Sequence, residues 1–255
     1  MPNFKSKVLL MGPGESGKTS MRSMIFANYL ARDTQRLMLT MEMEMSNVTF
    51  LGSLMLNLWD CGGQKSFIDT YLKKQRDFVF GNVGVLVYVF DIQALSKDSA
   101  DVQSSEWNKT AVMEYFQSCV EALKQYSGGA QLFCLLHKVD LIEESMRQDI
   151  FEKRKAEIES FIPAGINVTF FATSIWESSL FQAWSHIVNS LIPRVSLMNE
   201  HLGAVLKCSD VLEVSLFERA TFLCICKKSS GTDDPRRQQA VSNIVKQFKM
   251  SCLKQ

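Results

Sequence analysis

The plainest chemistry in this 255-residue chain lies in eight consecutive residues, Gly12-Pro13-Gly14-Glu15-Ser16-Gly17-Lys18-Thr19. They fill the pattern G-x-x-x-x-G-K-[ST] between an apolar strand-like run and a helical pattern, which is the setting the pattern requires. Gly12, Gly14 and Gly17 let the backbone curl. Successive N–H groups from Gly14 through Glu15, Ser16, Gly17, Lys18 and Thr19 to Ser20 can then face phosphate oxygens, and the helix beginning near Lys18 adds its positive dipole end. Lys18 is spaced to reach the β- and γ-phosphates of a nucleotide, and the Thr19 hydroxyl to ligate Mg²⁺. The bland alternative is a glycine-rich turn followed by a chance Lys-Thr pair.

A second cluster, Asp60-Cys61-Gly62-Gly63-Gln64, stands at the end of a strand-like run and has the form D-x-x-G followed by Gln. An Asp beside a phosphate loop can hold magnesium, commonly through a water, and the Gly63 N–H can bind a γ-phosphate. Loss of that phosphate would release the loop, which makes the pattern one of a switch. Gln64 is the candidate catalytic residue, because its neutral amide can both donate to and accept from an attacking water. Its alternative reading is an exposed polar residue at a helix start.

The third cluster is His137-Lys138-Val139-Asp140, after an apolar run at residues 131–137. The Asp140 carboxylate could accept from the ring N–H and the exocyclic amine of guanine together. Adenine lacks that donor pair and would leave the charge unpaired, a mismatch that polar sites reject strongly. Lys138 can lay its methylene stem along a base face. The usual pattern here is N-K-x-D, so His137 departs from it, and a lone His at a strand end is also compatible with a purely structural role. A further loop at Thr173-Ser174-Ile175 can offer the N–H groups of Ser174 and Ile175 to the guanine oxygen.

To bring these clusters together the chain must supply alternating strands and helices. Strand-like runs are read at residues 7–11, 48–50, 54–60, 83–91, 131–137 and 168–172, and helical patterns at 18–29, 65–80, 110–126, 143–161 and 178–191. Residues 85–90 and 132–136 are apolar throughout, as central strands covered on both faces require. The expectation is an α/β fold: a P-loop NTPase three-layer sandwich with a mainly parallel six-stranded sheet. Residues 94–109, rich in Ser, Asp and Gln and without hydrophobic period, read as a mobile surface insertion.

Pro193 should close this unit, giving a domain over residues 1–193. Beyond it come a helical pattern at 196–206, strand-like runs at 211–217 and 221–226, a polar turn at 227–235 and a helix-like segment at 236–253. This second unit, residues 194–255, has two strands and should need a partner or further residues to complete its core.

Bulk properties remove other classes. Hydrophobic residues make up 46% and charged residues 22% of the chain, which suits a packed globule. The net charge of +1 and the absence of a dense basic block give nucleic-acid binding no electrostatic source. Seven cysteines without ligand-like pairing fit a reducing, cytoplasmic setting. No apolar run reaches the ~20 residues needed to cross a bilayer, and Pro2 excludes myristoylation. Cys252-Leu253-Lys254-Gln255 matches a prenylation box poorly, because Lys254 stands where an aliphatic residue belongs.

The wording of the motifs adds a resemblance. Lys18-Thr19-Ser20-Met21-Arg22-Ser23-Met24-Ile25-Phe26-Ala27-Asn28-Tyr29, Leu56-Asn57-Leu58-Trp59-Asp60-Cys61-Gly62-Gly63-Gln64, His137-Lys138-Val139-Asp140 and Thr173-Ser174-Ile175-Trp176 together resemble the RagA/RagB branch of the Rag GTPases. In that family the His of the third motif is characteristic. The likeness continues through residues 216–223 and 244–249, where it resembles a C-terminal roadblock-type domain, and it suggests that this domain is present only in part.

The resemblance implies a GTP/GDP switch with Mg²⁺ that acts in amino-acid signalling. Its implied partners are a RagC/RagD-like GTPase in a heterodimer, the target-of-rapamycin kinase complex, a lysosomal scaffold complex and a GTPase-activating complex. It implies a cytoplasmic protein recruited peripherally to the lysosomal or vacuolar surface, without direct membrane insertion. By the same resemblance Thr40 is the first-switch threonine, a ligand of Mg²⁺ beside Thr19 and Asp60 and a contact of the γ-phosphate. Thr34 is implied at the nucleotide edge. Three readings stay open: a slow GTPase completed by an activator, a GTP-binding scaffold that never cycles, and an ATP-using P-loop enzyme. Arg32 and Arg36 are the candidates for an internal arginine finger.

Overall fold

The computed structural model describes residues 4–38, 40, 43–50, 54–64, 74–96 and 107–231, together with 241, 244, 247, 248 and 251. Six strands form the main sheet: β1 (Phe4–Met11), β2 (Glu44–Phe50), β3 (Leu54–Asp60), β4 (Val83–Asp91), β5 (Gln131–His137) and β6 (Val168–Thr173). Their order is β2-β3-β1-β4-β5-β6, and only the edge strand β2 runs antiparallel to its neighbour. The helices are α1 (Lys18–Phe26), α2 (Arg76–Phe80), α3 (Lys109–Tyr126), α4 (Arg147–Glu159), α5 (Ser179–Asn189) and α6 (Val195–Cys208).

The period of two along each strand sorts the core into two halves. From β4, Leu86, Tyr88 and Phe90 face one side with Val112, Phe116, Cys119 and Val120 of α3. Val85, Val87 and Val89 face the other, where Met21 and Ile25 of α1 meet Leu180, Trp184 and Ile187 of α5. Both faces of β4 and β5 are therefore covered, which is why those strands are apolar at nearly every position. This is the six-stranded, mainly parallel sandwich that the alternation of strand-like and helical runs predicts.

β1 occupies the point where the strand order reverses, with β3 on one side and β4 on the other. Chains leaving β1, β3, β4 and β5 thus open outward around one crevice at the carboxyl ends of the strands, the place where doubly wound sheets bind ligands.

Beyond α5, α6 and the hairpin β7 (Glu213–Phe217) and β8 (Cys224–Ser229) follow. The second strand begins three residues later than the expected 221–226 and runs into the expected polar turn. The reason is a side chain: the Glu218 carboxylate accepts from Ala220 N, Thr221 N and Thr221 Oγ1, so that Thr221 and Phe222 belong to the turn. The hairpin does not stand alone. Leu223, Ile225 and Cys226 enter the same apolar cluster as Leu180 and Trp184, and Ser185 Oγ accepts from Cys224 N at 2.9 Å.

The expected helix at 65–80 lies outside the described residues except at its end, where α2 is found, and residues 97–106 of the expected insertion also lie outside them. In the segment 236–253 the described residues 241, 244, 247, 248 and 251 are helical. No helix among the described residues is long and apolar enough to cross a membrane.

Candidate nucleotide site

The loop after β1 is shaped by positions that only glycine fits. Gly12 has φ +143°, and a Cβ there would lie 2.3 Å from the Val89 carbonyl oxygen; Gly17 has φ +96°. Glu15, at φ 62°, takes the left-handed conformation despite its side chain, a strain that clusters at functional loops. Gly63 is pressed against this loop: Gly14 N donates to Gly63 O at 2.8 Å, and a Cβ on Gly63 would meet Gly14 N at 2.4 Å. The second motif is thereby set directly on the first.

Lys18 is buried, with Nζ donating to Gly12 O (2.9 Å), Pro13 O (2.6 Å) and Ser16 Oγ (3.3 Å). Burial lowers its pKa to about 8, and the nearby Asp60 carboxylate opposes that shift. Its charge is held by neutral carbonyls at short range, so an anion in the loop would stabilise it. Thr19 Oγ1 lies 2.6 Å from Thr40 Oγ1, which joins two of the predicted metal ligands across 21 positions of sequence.

Asp60, the third predicted ligand, is fully buried at the end of β3. Burial pushes its carboxyl above the ordinary range, while the Thr19 hydroxyl, Lys18 and Arg22 pull the other way. Arg22 Nε donates to Asp60 Oδ2 at 3.1 Å, and Asp60 Oδ1 is buried without a hydrogen-bond partner.

Gly14, Glu15, Gly17, Lys18, Thr19, Ser20, Leu37, Met38, Thr40, Gly63 and Gln64 line one cleft of about 210 Å³. Most of the predicted phosphate residues, the predicted metal ligands Thr19 and Thr40 and the catalytic candidate Gln64 therefore share a single space, while Gly12, Ser16 and Asp60 are not among its lining residues. Thr34 does not line it: in the turn Ala31–Arg36 its hydroxyl donates to Ala31 O at 2.7 Å and its side chain is buried. Arg32 and Arg36 are not among the lining residues either.

The predicted base-reading residues sit at the ends of β5 and β6. Ser174 Oγ donates to Asp140 Oδ1 and accepts from Trp176 N at 3.1 Å. Lys138, held at φ 66°, donates from Nζ to Asp91 Oδ2 at 2.7 Å. The Ile175 side chain packs into the core beside α5, so what it can offer the cleft is backbone.

His137 is 2% exposed, and its Nδ1 pairs with Thr173 Oγ1 at 2.9 Å. The other edge of its ring abuts the phosphate loop, where a Cβ on Gly17 would come within 2.7 Å of His137 Cδ2. Burial, aided by the Lys138 charge, lowers its pKa to about 4, so the ring is neutral at pH 7. The side chain that departs from the usual motif thus ties the phosphate loop to the base-reading strand ends.

Asp91, Arg22 and Glu44 complete the site and were not singled out by sequence reasoning, and Thr173, named there only as part of a backbone loop, contributes its side chain to His137. Asp91 and Thr173 each end a strand on the crevice side, a polar position after an apolar run that a strand reading can flag. Arg22 falls one helical turn after Lys18 and shares its face, a signal that helical spacing carries.

A magnesium nucleotide fits this arrangement on three observations: the glycine cradle that any Cβ would fill, the paired Thr19 and Thr40 hydroxyls, and the orphaned Asp60 oxygen. Among the described residues no cluster of three His, Cys, Asp or Glu side chains can hold a metal ion. Mg²⁺ bound beside phosphates needs few protein ligands, so this set suffices.

A doubly wound sheet with a glycine loop and the two candidate carboxylates Asp60 and Asp140 at its strand ends is the arrangement of the P-loop G-protein class. The model of the Gtr1/RagA G protein conserved region matches residues 7–245. The GTP-binding protein gtr1 of Schizosaccharomyces pombe is 48% identical over 254 residues, 98% of this chain and 78% of the relative. Ras-related GTP-binding protein A of Dictyostelium discoideum is 48% identical over 253 residues, 98% of this chain and 79% of the relative. At greater distance, Ras-related GTP-binding protein C of Homo sapiens is 22% identical over 253 residues, 98% of this chain and 60% of that protein. The chain belongs to the Gtr1/RagA family of G proteins.

Proposed function

We propose that this chain binds GTP and GDP with Mg²⁺, hydrolyses GTP slowly, and uses the difference between the two nucleotides as a switch. The observation that carries the reading is one assembly. Lys18, Thr19, Thr40, Gly63 and Gln64 surround a single cleft, and Asp140 is fixed by Ser174 at a neighbouring strand end. Membership in a family whose similar relatives are called GTP-binding supports it.

Thr19, Thr40 and the orphaned oxygen of Asp60 would hold the ion, Asp60 through its hydration shell; when bound, Mg²⁺ offsets charge on the phosphate oxygens. Lys18 binds the phosphates with an ammonium that burial leaves under-compensated. Gly63 offers its N–H to the last phosphate, and Gln64 orients water through its amide. Asp140 selects guanine. Ser174 supports that choice by keeping one carboxylate oxygen engaged and the group in one orientation.

The chain acts as a heterodimer with a RagC/RagD-like GTPase. It is cytoplasmic and is brought to the lysosomal or vacuolar surface by a separate scaffold complex. There the pair recruits the target-of-rapamycin kinase complex, and an activating complex ends the signal. The resemblance supplies this part of the reading. It agrees with the apolar side chains that the second unit leaves exposed, including Val205, Leu212 and Phe248.

Single-turnover phosphate release with the activating complex tests the catalytic part. Gln64→Leu should bind GTP as the wild type does and release phosphate about 100-fold more slowly. Stimulated release at the wild-type rate contradicts the role of Gln64, and no stimulated release from the wild type leaves a scaffold.

A further inference from the structure

β2 and β3 pair antiparallel so that Glu44 lies directly opposite Asp60. Like charges placed across a strand pair repel one another. This pair stands where the edge strand meets the metal carboxylate, four residues after Thr40. The sheet alone therefore gives no reason for the first-switch segment to stay against the metal site.

Arg22 lies between the two carboxylates. Its Nε donates to Asp60 Oδ2 at 3.1 Å, and its Nη2 donates to Glu44 Oε2. Arg22 is 20% exposed and Glu44 52%, so the bridge runs from the buried carboxylate to the surface. The planar guanidinium has donors for both partners at a fixed angle, which a lysine ammonium on its flexible stem cannot reproduce. Arg22 also occupies one oxygen of Asp60, and the other is the buried oxygen without a partner.

The geometry assigns Arg22 as a positioning residue that presents Asp60 Oδ1 to the hydrated magnesium and, through Glu44, couples the metal site to the start of the strand that follows the first-switch Thr40. This rests on the magnesium-nucleotide reading above. Asp60 ends β3 and Thr40 lies four residues before β2, and Arg22 spans from β3 to β2 by bonding both Asp60 and Glu44. Groups that orient a metal ligand from behind usually carry about a tenfold or larger share of metal affinity.

Glu44 has a second effect. While it shares the guanidinium, the charge on Arg22 is divided between two carboxylates. Without it, Arg22 is drawn wholly onto Asp60 and competes with the ion for the same group. Loss of Glu44 should therefore weaken magnesium, but only while Arg22 is present.

The test follows release of a fluorescent methylanthraniloyl-GDP from the full chain while free Mg²⁺ is varied. The readout is the Mg²⁺ concentration that half-maximally slows release, which a merely structural role would leave in place. Arg22→Ala should raise it about tenfold, and Arg22→Lys nearly as far because charge without the fork does not bridge. Glu44→Gln, at an exposed position that leaves the fold intact, should raise it about threefold, the scale of a partly exposed ion pair. The double variant should match Arg22→Ala alone.

An unchanged half-point in Glu44→Gln, or a double variant whose shift is the product of the single ones, overturns the coupling even if Arg22 variants fold poorly. An unchanged half-point in folded Arg22→Ala overturns the positioning of Asp60. A wild-type chain that takes up no analogue at any Mg²⁺ concentration overturns the parent reading instead, and is told apart by that failure.

Discussion

At the base end of the crevice each polar side chain already has a protein partner: Asp140 with Ser174, His137 with Thr173, and Lys138 with Asp91. At the phosphate end the charged groups are held more loosely. Lys18 rests on backbone carbonyls, one oxygen of Asp60 has no partner, and Thr19 meets Thr40 across a gap of sequence. The difference follows from what each end must do under the proposed function. Guanine is the same in GTP and GDP, so the residues that read it gain from being fixed in advance. The γ-phosphate comes and goes, so the groups that answer to it need contacts that can be exchanged.

The largest effect should come from removing the fixed carboxylate. Asp140→Ala should weaken GDP at least about 100-fold, because the guanine donors lose their acceptor inside a polar site. Competition binding measures it, and a loss confined to a few-fold would mean that the base end contributes little to recognition.

Next comes the seam between the two ends. Gly17→Ala puts a Cβ 2.7 Å from His137 Cδ2 at φ +96°. A strained left-handed alanine with a ring contact should cost about 2–4 kcal/mol of stability in urea unfolding. A variant as stable as the wild type would show that the His137 ring is not wedged against the loop.

A smaller effect separates the ends by pH. The folded pKa of His137 lies at about 4, below the ordinary 6.5, so the unfolded chain takes up a proton that the folded chain resists. Stability from this group is thus constant above pH 6.5 and falls as the pH drops towards 4, by up to ~3 kcal/mol. His137→Asn should remove that part of the slope in parallel unfolding curves, while an identical pH profile would place the imidazole in water.

These comparisons also show what the residues disclose unaided. The bounds of β3, β4 and β5 match the expected runs, because strands buried on both faces are apolar at nearly every position and end where polarity returns. The glycine loop and Gly63, which the structure sets against one another, were legible as candidates because their residue pattern answers to backbone geometry. Less was visible where side chains from distant segments decide the outcome. The Glu218 carboxylate fixes where β8 begins, and nothing in an apolar run announces it. Likewise the Thr34 hydroxyl turns back to Ala31, and the bridge from Arg22 to Glu44 joins residues that no local pattern relates. The seat of His137 against Gly17 depends on two loops folding together.

In the proposed function one cleft grips a magnesium triphosphate or diphosphate while Asp140 chooses guanine. Isothermal titration of the folded chain with GDP, GTP and ATP, each with Mg²⁺, tests it most directly. GDP and GTP should give saturable heats, and ATP none over the same concentrations. Absent heats for the guanine nucleotides, or an equal response to ATP, would contradict it.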